Sequence, residues 1–520
     1  MGTLRQARIG LILAFAAAAV FVRSWRLTDT PLWYSDETDF IGLSAELGRG
    51  VPLTQAAHKA LIFPFATNAI PHPPLYFWAS GLLMRVFGKG VLAGRILSAT
   101  AGLISTLLLY GAVRRLWGGL AASVAAGFFA FHLPSVHLLR WGMPYNLAMG
   151  FQIAAFWALA RGQRGRQRDW WNAAAVALAG GAAVSAFFGL AALGFVSLLA
   201  AVRLRSRPWI LLAALAAGWA PIAAFMAVGT VQRGPAFWRD FASLMARGAG
   251  AGSLADSLRA LGWQIGRLAT RDGVYALGAA GLVWAALRSK GRRWAPACFA
   301  VVALPVLLKR GRDPEIKYDE TEFLFLLYAG AGAAWAMARR SLCRARRRRL
   351  ARRGPALRRI DLGAWALALL AIAPLAAMRV CQVSTRLPSR YEQFGSVLSP
   401  ADADRVAEWI NARVTNDDLI IAPDRMYFML HGRIASLYQS VAYVAGWTTW
   451  HKGIERWRFR YPCDFRQARF IIVDRTDRAL VLTPANPNME LVAAALNSPD
   501  WRVALSVGEY VVFERAEAVR

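Results

Sequence analysis

The chain has 520 residues, 57% of them hydrophobic, and a mean hydropathy of +0.34. Soluble domains seldom combine that length with that hydrophobicity, so a multi-span membrane protein is the first reading. Net charge is +31, from 62 Lys and Arg against 31 Asp and Glu. A nucleic-acid partner is the ordinary reading of such charge. It is excluded here because the arginines lie in short tracts between apolar runs, the pattern of positive-inside loops.

The N-terminus is basic and then apolar from Ile9 to Val22. Val22-Arg23-Ser24-Trp25 is a poor small-residue cleavage site, so this run reads as a retained first span. Apolar runs follow at 92–113, 118–134, 144–160, 171–187, 189–203, 209–229, 273–288, 294–308, 321–338 and 362–379. With 8–24 they make eleven spans in a range of about 11–13, several shorter than the ~20 residues a hydrocarbon core needs. The run from Gly181 to Ala201 can be cut differently, and 74–87 is either a further span or a helix lying on the membrane surface.

Four arginine tracts set the orientation. They are Arg161 to Arg168, Arg203 to Arg207, Arg288 to Arg293 and Arg339 to Arg359, the last with eleven arginines. With eleven spans all four share one side, which the positive-inside rule makes cytoplasmic. A full span at 74–87, with nothing else changed, would move the first tract to the other side. The outer side then receives loops 25–91, 135–143, 230–272 and 309–320 and everything after about 380.

Two parts therefore follow. Residues 1–380 form a polytopic α-helical membrane module, and 381–520 an extracytoplasmic α/β domain. In the second part, Asp402 to Val414 has helical periodicity, with Val406, Trp409, Ile410 and Val414 on one face. Leu419-Ile420-Ile421 and Phe470-Ile471-Ile472-Val473 read as strands, and Trp501–Leu505 and Tyr510–Phe513 as a pair around Gly508. Glu490 to Asn497 is a further helix candidate. Of four cysteines, Cys381 and Cys463 both fall outside, where a disulfide between them is an open option without a framework spacing.

The first outer loop concentrates the chemistry. It opens on Trp33-Tyr34-Ser35-Asp36-Glu37-Thr38-Asp39-Phe40 and closes on Pro71-His72-Pro73-Pro74-Leu75-Tyr76-Phe77-Trp78. A membrane anchor has no need of carboxylates, a histidine and aromatics gathered at one surface. An enzyme acting on a lipid-carried substrate does. The coupled W-x-x-D-E and H-P-P-L-Y-x-W strings, between two spans, resemble the bacterial branch of the GT-C glycosyltransferases. That branch holds the dolichyl-phosphate-mannose protein mannosyltransferase-like enzymes and the lipid A aminoarabinose transferases.

The resemblance implies transfer of a sugar from a polyprenyl-phosphate carrier, with inversion, to a lipid, glycan or protein acceptor on the outer face of a bacterial inner membrane. No nucleotide sugar is used there, and no glycine-rich G-x-G-x-x-G follows a strand. The resemblance puts the catalytic acid at Asp36 or Glu37, with Asp36 the general base. A lipid phosphate leaving group calls for cations and donors. His72, Arg140, Lys317 and Tyr318 are the candidates, Arg140 with snorkelling as its bland alternative. Trp33 and Tyr34 lie beside the acids and are placed at the sugar. Asn146 stands where relatives carry a second acid, so it joins the substrate side without supplying that acid.

A divalent cation, Mg²⁺ or Mn²⁺, is an option that Glu37 and His72 would hold. Tyr76, Phe77 and Trp78 read as interface anchors, and His132 and His137 as structural. The rival reading is a transporter or flippase of a lipid-linked saccharide. It favours charges at mid-membrane, whereas Arg95 and Glu322 lie near span ends. A non-catalytic scaffold leaves the Asp36–His72 loop unexplained.

Overall fold

The computed structural model describes residues 2–29, 35–50, 73–163, 165–235, 237–238, 254–288, 294–310, 321–349, 355–385, 399–423, 426–446, 456, 459, 461–475, 492–494 and 496–516. The helices are α1 (Gly2–Ser24), α2 (Ser35–Gly48), α3 (Leu75–Phe87), α4 (Val91–Trp117), α5 (Gly119–Phe131), α6 (Leu133–Leu138), α7 (Pro144–Arg161), α8 (Arg168–Ser185), α9 (Gly189–Arg203) and α10 (Pro208–Arg233). They continue with α11 (Leu254–Arg271), α12 (Gly273–Arg288), α13 (Trp294–Arg310), α14 (Thr321–Arg349) and α15 (Pro355–Thr385). Ten of the eleven apolar runs fall on one helix each, and the run at 118–134 is divided at His132 between α5 and α6. Among the described residues, Val91–Trp117, Pro208–Val231, Thr321–Cys343 and Gly363–Thr385 are long and apolar enough to cross a membrane by length and composition.

Lipid tails are as apolar as leucine, so membrane helices associate through close packing of small residues rather than through exclusion of water. Here α12 and α14 run parallel, with Gly278 against Leu327 and Gly281 against Gly330 and Ala334. In the same way α8 meets α10 at Gly180 and Gly218.

The described arginines of the first two tracts border one end of the bundle. Arg115 at the foot of α4 donates to Ala160 O at 3.0 Å. Arg203 donates to Asn172 Oδ1 at 2.9 Å, and its guanidinium lies 5.5 Å from the Trp294 ring centre. Arg161 stacks on Trp157 and Trp171. Because α14 is parallel to α12, its arginine-rich continuation leaves at this end too.

The pair α2 and α3 does not span. At 14 and 13 residues and ~1.5 Å per residue they reach only about 20 Å of a ~30 Å core. They pack on each other where Gly48 and Gly81 meet, a contact that leaves no room for a Cβ on either.

The C-terminal part is a five-stranded mixed sheet in the order β2-β1-β3-β5-β4. Its strands are β1 (Leu419–Ile421), β2 (Arg433–Ala435), β3 (Phe470–Val473), β4 (Trp501–Val507) and β5 (Tyr510–Arg515). Helix α16 (Pro400–Asn411) covers one face, where Val406 and Ile410 meet Ile420, Phe470 and Ile472. Helix α17 (Leu437–Ala445) covers the other, where Leu437 and Val441 meet Leu419, Ile421, Ile471 and Val473. Burial on both faces is why β1 and β3 read as unbroken apolar runs. The β4–β5 hairpin turns at Gly508, whose φ of 56° suits a residue without a Cβ.

The disulfide option is overturned, since Cys381 and Cys463 are both free. Cys381 is exposed on α15, whereas Cys463 is sealed in the α17-side core, its thiol 3.7 Å from Gln439 O.

One ion pair in this domain gives a pH dependence. Burial alone would raise the Asp418 carboxyl, but the Thr415 amide and hydroxyl and the Arg469 guanidinium (2.9 Å) hold it below its ordinary 3.8. A lowered folded value stabilises above the unfolded value, and that contribution is lost as pH falls through the folded one. Acid titration of domain fluorescence should show less loss below about pH 4 in Asp418→Asn than in wild type. Equal acid sensitivity would remove Asp418 from the account.

Candidate active site

At the end of the bundle opposite the arginine tracts, four backbone segments meet around one carboxylate. Helix α1 ends at Ser24 in a turn where Arg26 takes a left-handed φ of 46°. Arg140, fully buried, clamps that turn by donating to Val22 O at 2.6 Å, Trp25 O at 2.5 Å and Arg26 O at 3.3 Å. These carbonyls crown the negative end of α1, where a cation is favoured. Arg23 does the same for α5, donating to Phe129 O at 2.8 Å and to Ser135 O at 2.7 Å.

The carboxylate is Glu37, on the first turn of α2 and 2% exposed. Arg95, on the first turns of α4, grips it with two parallel bonds of 2.7 Å. The same guanidinium donates to Leu27 O at 2.8 Å. Gly142 N completes the shell, donating to Glu37 Oε1 at 2.6 Å. A Cβ at Gly142 would lie 3.0 Å from the Tyr76 hydroxyl and 3.0 Å from the Gly94 carbonyl carbon, so glycine is what lets the amide come this close. Asn146 holds the turn that carries Gly142, its amide donating to Leu138 O at 2.9 Å and Trp141 O at 2.8 Å.

The two sequence motifs are brought together. Phe40 of the first packs edge-on against Tyr76 and Phe77 of the second, at 6.5 and 5.4 Å between ring centres. Tyr76 and Phe77 are therefore core residues, contrary to their reading as interface anchors. Both are needed to seat α3 on α2, and only Trp78, 42% exposed, faces outward.

Of the candidate residues, Glu37, Arg140 and Asn146 stand in this network, each bonded to protein groups. Asp36 is on the first turn of α2, one residue before Glu37; its side chain lies outside the described residues. So do Trp33, Tyr34, His72, Lys317 and Tyr318. The metal option does not fit at Glu37, because a cation there would compete with a guanidinium already bonded to both oxygens. Among the described residues no group of three His, Cys, Asp or Glu side chains is arranged to hold a metal ion.

Sequence reading missed Arg95 as the partner of Glu37, 58 residues away. It also missed three polar contacts inside the bundle. His132 lies 2.7 Å from Asp272 and 2.8 Å from the Tyr328 hydroxyl. Gln152 donates to the fully buried Glu322 at 2.6 Å. Separations of 140, 196 and 170 residues leave no local spacing to read.

Residues 71–227 match the model of the dolichyl-phosphate-mannose-protein mannosyltransferase family. No curated protein matches the chain. The fold is similar to ArnT from Cupriavidus metallidurans bound to undecaprenyl phosphate, with a TM-score of 0.64 at 17% identity over 97% of this chain and 98% of that one. The apo form of that protein gives a TM-score of 0.60 at 16% identity over 99% of both chains. The Archaeoglobus fulgidus oligosaccharyltransferase in its apo form is similar at a TM-score of 0.56, 12% identity, and 93% and 72% coverage.

Proposed function

We propose, from the premise of a chain with the GT-C glycosyltransferase fold, that it moves a sugar from a polyprenyl-phosphate carrier to an acceptor hydroxyl at the outer face of a bacterial cytoplasmic membrane. The observation that carries this reading is the head of α2. There Glu37 is committed to a buried guanidinium, and Asp36 precedes it on the first turn of the same helix.

In this reading Asp36 is the general base. It takes the proton of the acceptor hydroxyl as that oxygen bonds to C1 of the sugar. The bond from C1 to the carrier oxygen breaks, and polyprenyl phosphate leaves with the electron pair. A single base on the face opposite the leaving group gives inversion. His72, Lys317 and Tyr318 receive the phosphate, and Trp33 and Tyr34 flank the sugar. Glu37, Arg140 and Asn146 act as positioning residues that hold the turn, the helix head and the Gly142 amide in register. The carrier is suggested by the Cupriavidus metallidurans protein of the same fold, which binds undecaprenyl phosphate. The acceptor is a lipid, a glycan or a protein hydroxyl, and the arginine tracts face the cytoplasm.

The test is a transfer assay in membranes with undecaprenyl phosphate carrying radiolabelled aminoarabinose, mannose or glucose. Acceptor-dependent release of undecaprenyl phosphate, with inversion at C1, is the expected result. No release from any donor by folded protein would overturn the reading. It would then favour a carrier of lipid-linked saccharides, which proteoliposome translocation of the same donors would detect.

A further inference from the structure

Helix α2 carries two apolar stripes, and each is buried in a different core. Phe40, Leu43 and Leu47 belong to the core of the membrane bundle. Ile41 and Ala45 belong to the core of the C-terminal sheet domain, together with Met84 of α3 and Val91 at the head of α4. In that second core they join Val406, Ile420 and Met426. Beside it, Lys89 in the α3–α4 turn sits 5.1 Å from the ring centre of Tyr427, within cation–π range.

The spacing on α2 gives this burial a consequence. Glu37, Ile41 and Ala45 follow one another at i, i+4 and i+8, so they line one side of the helix. The stripe that docks on the sheet domain therefore ends at the carboxylate locked by Arg95. A 14-residue helix is marginal without tertiary packing. The bundle core takes Phe40, Leu43 and Leu47 and leaves Ile41 and Ala45 to the sheet domain.

We propose that the C-terminal domain is a clamp on α2, and that it sets the position of Asp36 by completing the packing of the stripe that runs from Ala45 to Glu37. This rests on the reading of Asp36 as the base, and it gives the domain a role in positioning rather than in binding donor. The domain needs no reacting group of its own to do this.

Hydrogen exchange on the purified full-length protein tests it without any substrate. In Tyr427→Ala, and from the other side of the contact in Lys89→Ala, amides 35–48 should exchange about tenfold faster, while α12 and α14 keep wild-type rates. Tyr427→Phe, which keeps the ring, should match wild type. Where transfer is measured, kcat should fall by about ten- to a hundredfold with donor KM unchanged. Unchanged exchange at 35–48 overturns the clamp. So does acceleration spread equally over α12 and α14, or a rise in KM with kcat intact. A wild-type protein that transfers no sugar would end the functional reading, while the exchange result would still decide the clamp.

Discussion

Replacing Asp36 by Asn should leave the protein folded and lower sugar transfer by about 10²- to 10⁴-fold, the usual worth of a general base. Replacing Glu37, the next residue, by Ala should do something different. It leaves the Arg95 guanidinium, 0% exposed, without its carboxylate. Breaking one side of a buried pair costs about 3–5 kcal/mol. The Leu27 and Thr28 carbonyls still accept from Arg95, but they carry no full charge. The unfolding midpoint should therefore fall in Glu37→Ala and in Arg95→Leu. It should recover in the double variant Glu37→Leu with Arg95→Leu, where neither charge of the pair is left buried without the other. Thermal unfolding followed beside initial transfer rates separates the two effects. Glu37→Ala with a wild-type midpoint and no transfer would make Glu37, and not Asp36, the reacting carboxylate.

What could be read from the sequence depended on range. Spans are local patterns, so all eleven apolar runs fall on helices, and the GT-C resemblance carried by W-x-x-D-E and H-P-P-L-Y-x-W is borne out by the fold. The strands β1 and β3 were legible for the same reason. Strand β2 was not: Arg433-Ile434-Ala435 is three residues long and takes its place only by pairing with Leu419–Ile421. Helix α17 was also missed, although Ser436 and Gln439 form a reciprocal cap at its start.

At the site, the residue types were legible and their partners were not. A carboxylate in a loop between spans invites a role at the reacting atoms. Whether it is free for that role depends on Arg95, which enters from another helix, and on Gly142, which enters from a third segment. The same limit separated Tyr76 from Trp78. Both are aromatics of one motif, and only the fold decides that one is buried against Gly94 and Gly142 while the other faces out.

The second large effect is expected at Gly81, which no motif singled out. A Cβ there would lie 2.7 Å from Gly48 N and closer still to the Ser44 carbonyl. Those atoms are helix backbone and cannot turn aside as a side chain would. Gly81→Val must therefore push α2 and α3 apart by roughly an ångström, at an overpacking cost of about 1–3 kcal/mol. The displaced helix is the one whose head bears Asp36 and whose Glu37 meets Arg95 and Gly142. Misplacement of that size costs about 10²-fold in rate. Both the unfolding midpoint and kcat should drop in Gly81→Val. Gly194→Ala, on α9 with nothing within 4 Å of the new Cβ, should change neither rate nor fold, and should gain about 0.5–1 kcal/mol of helix propensity. A Gly81→Val protein with the wild-type rate would mean that α2 can shift against α3 without consequence, and the α2–α3 contact could not then be what positions the base.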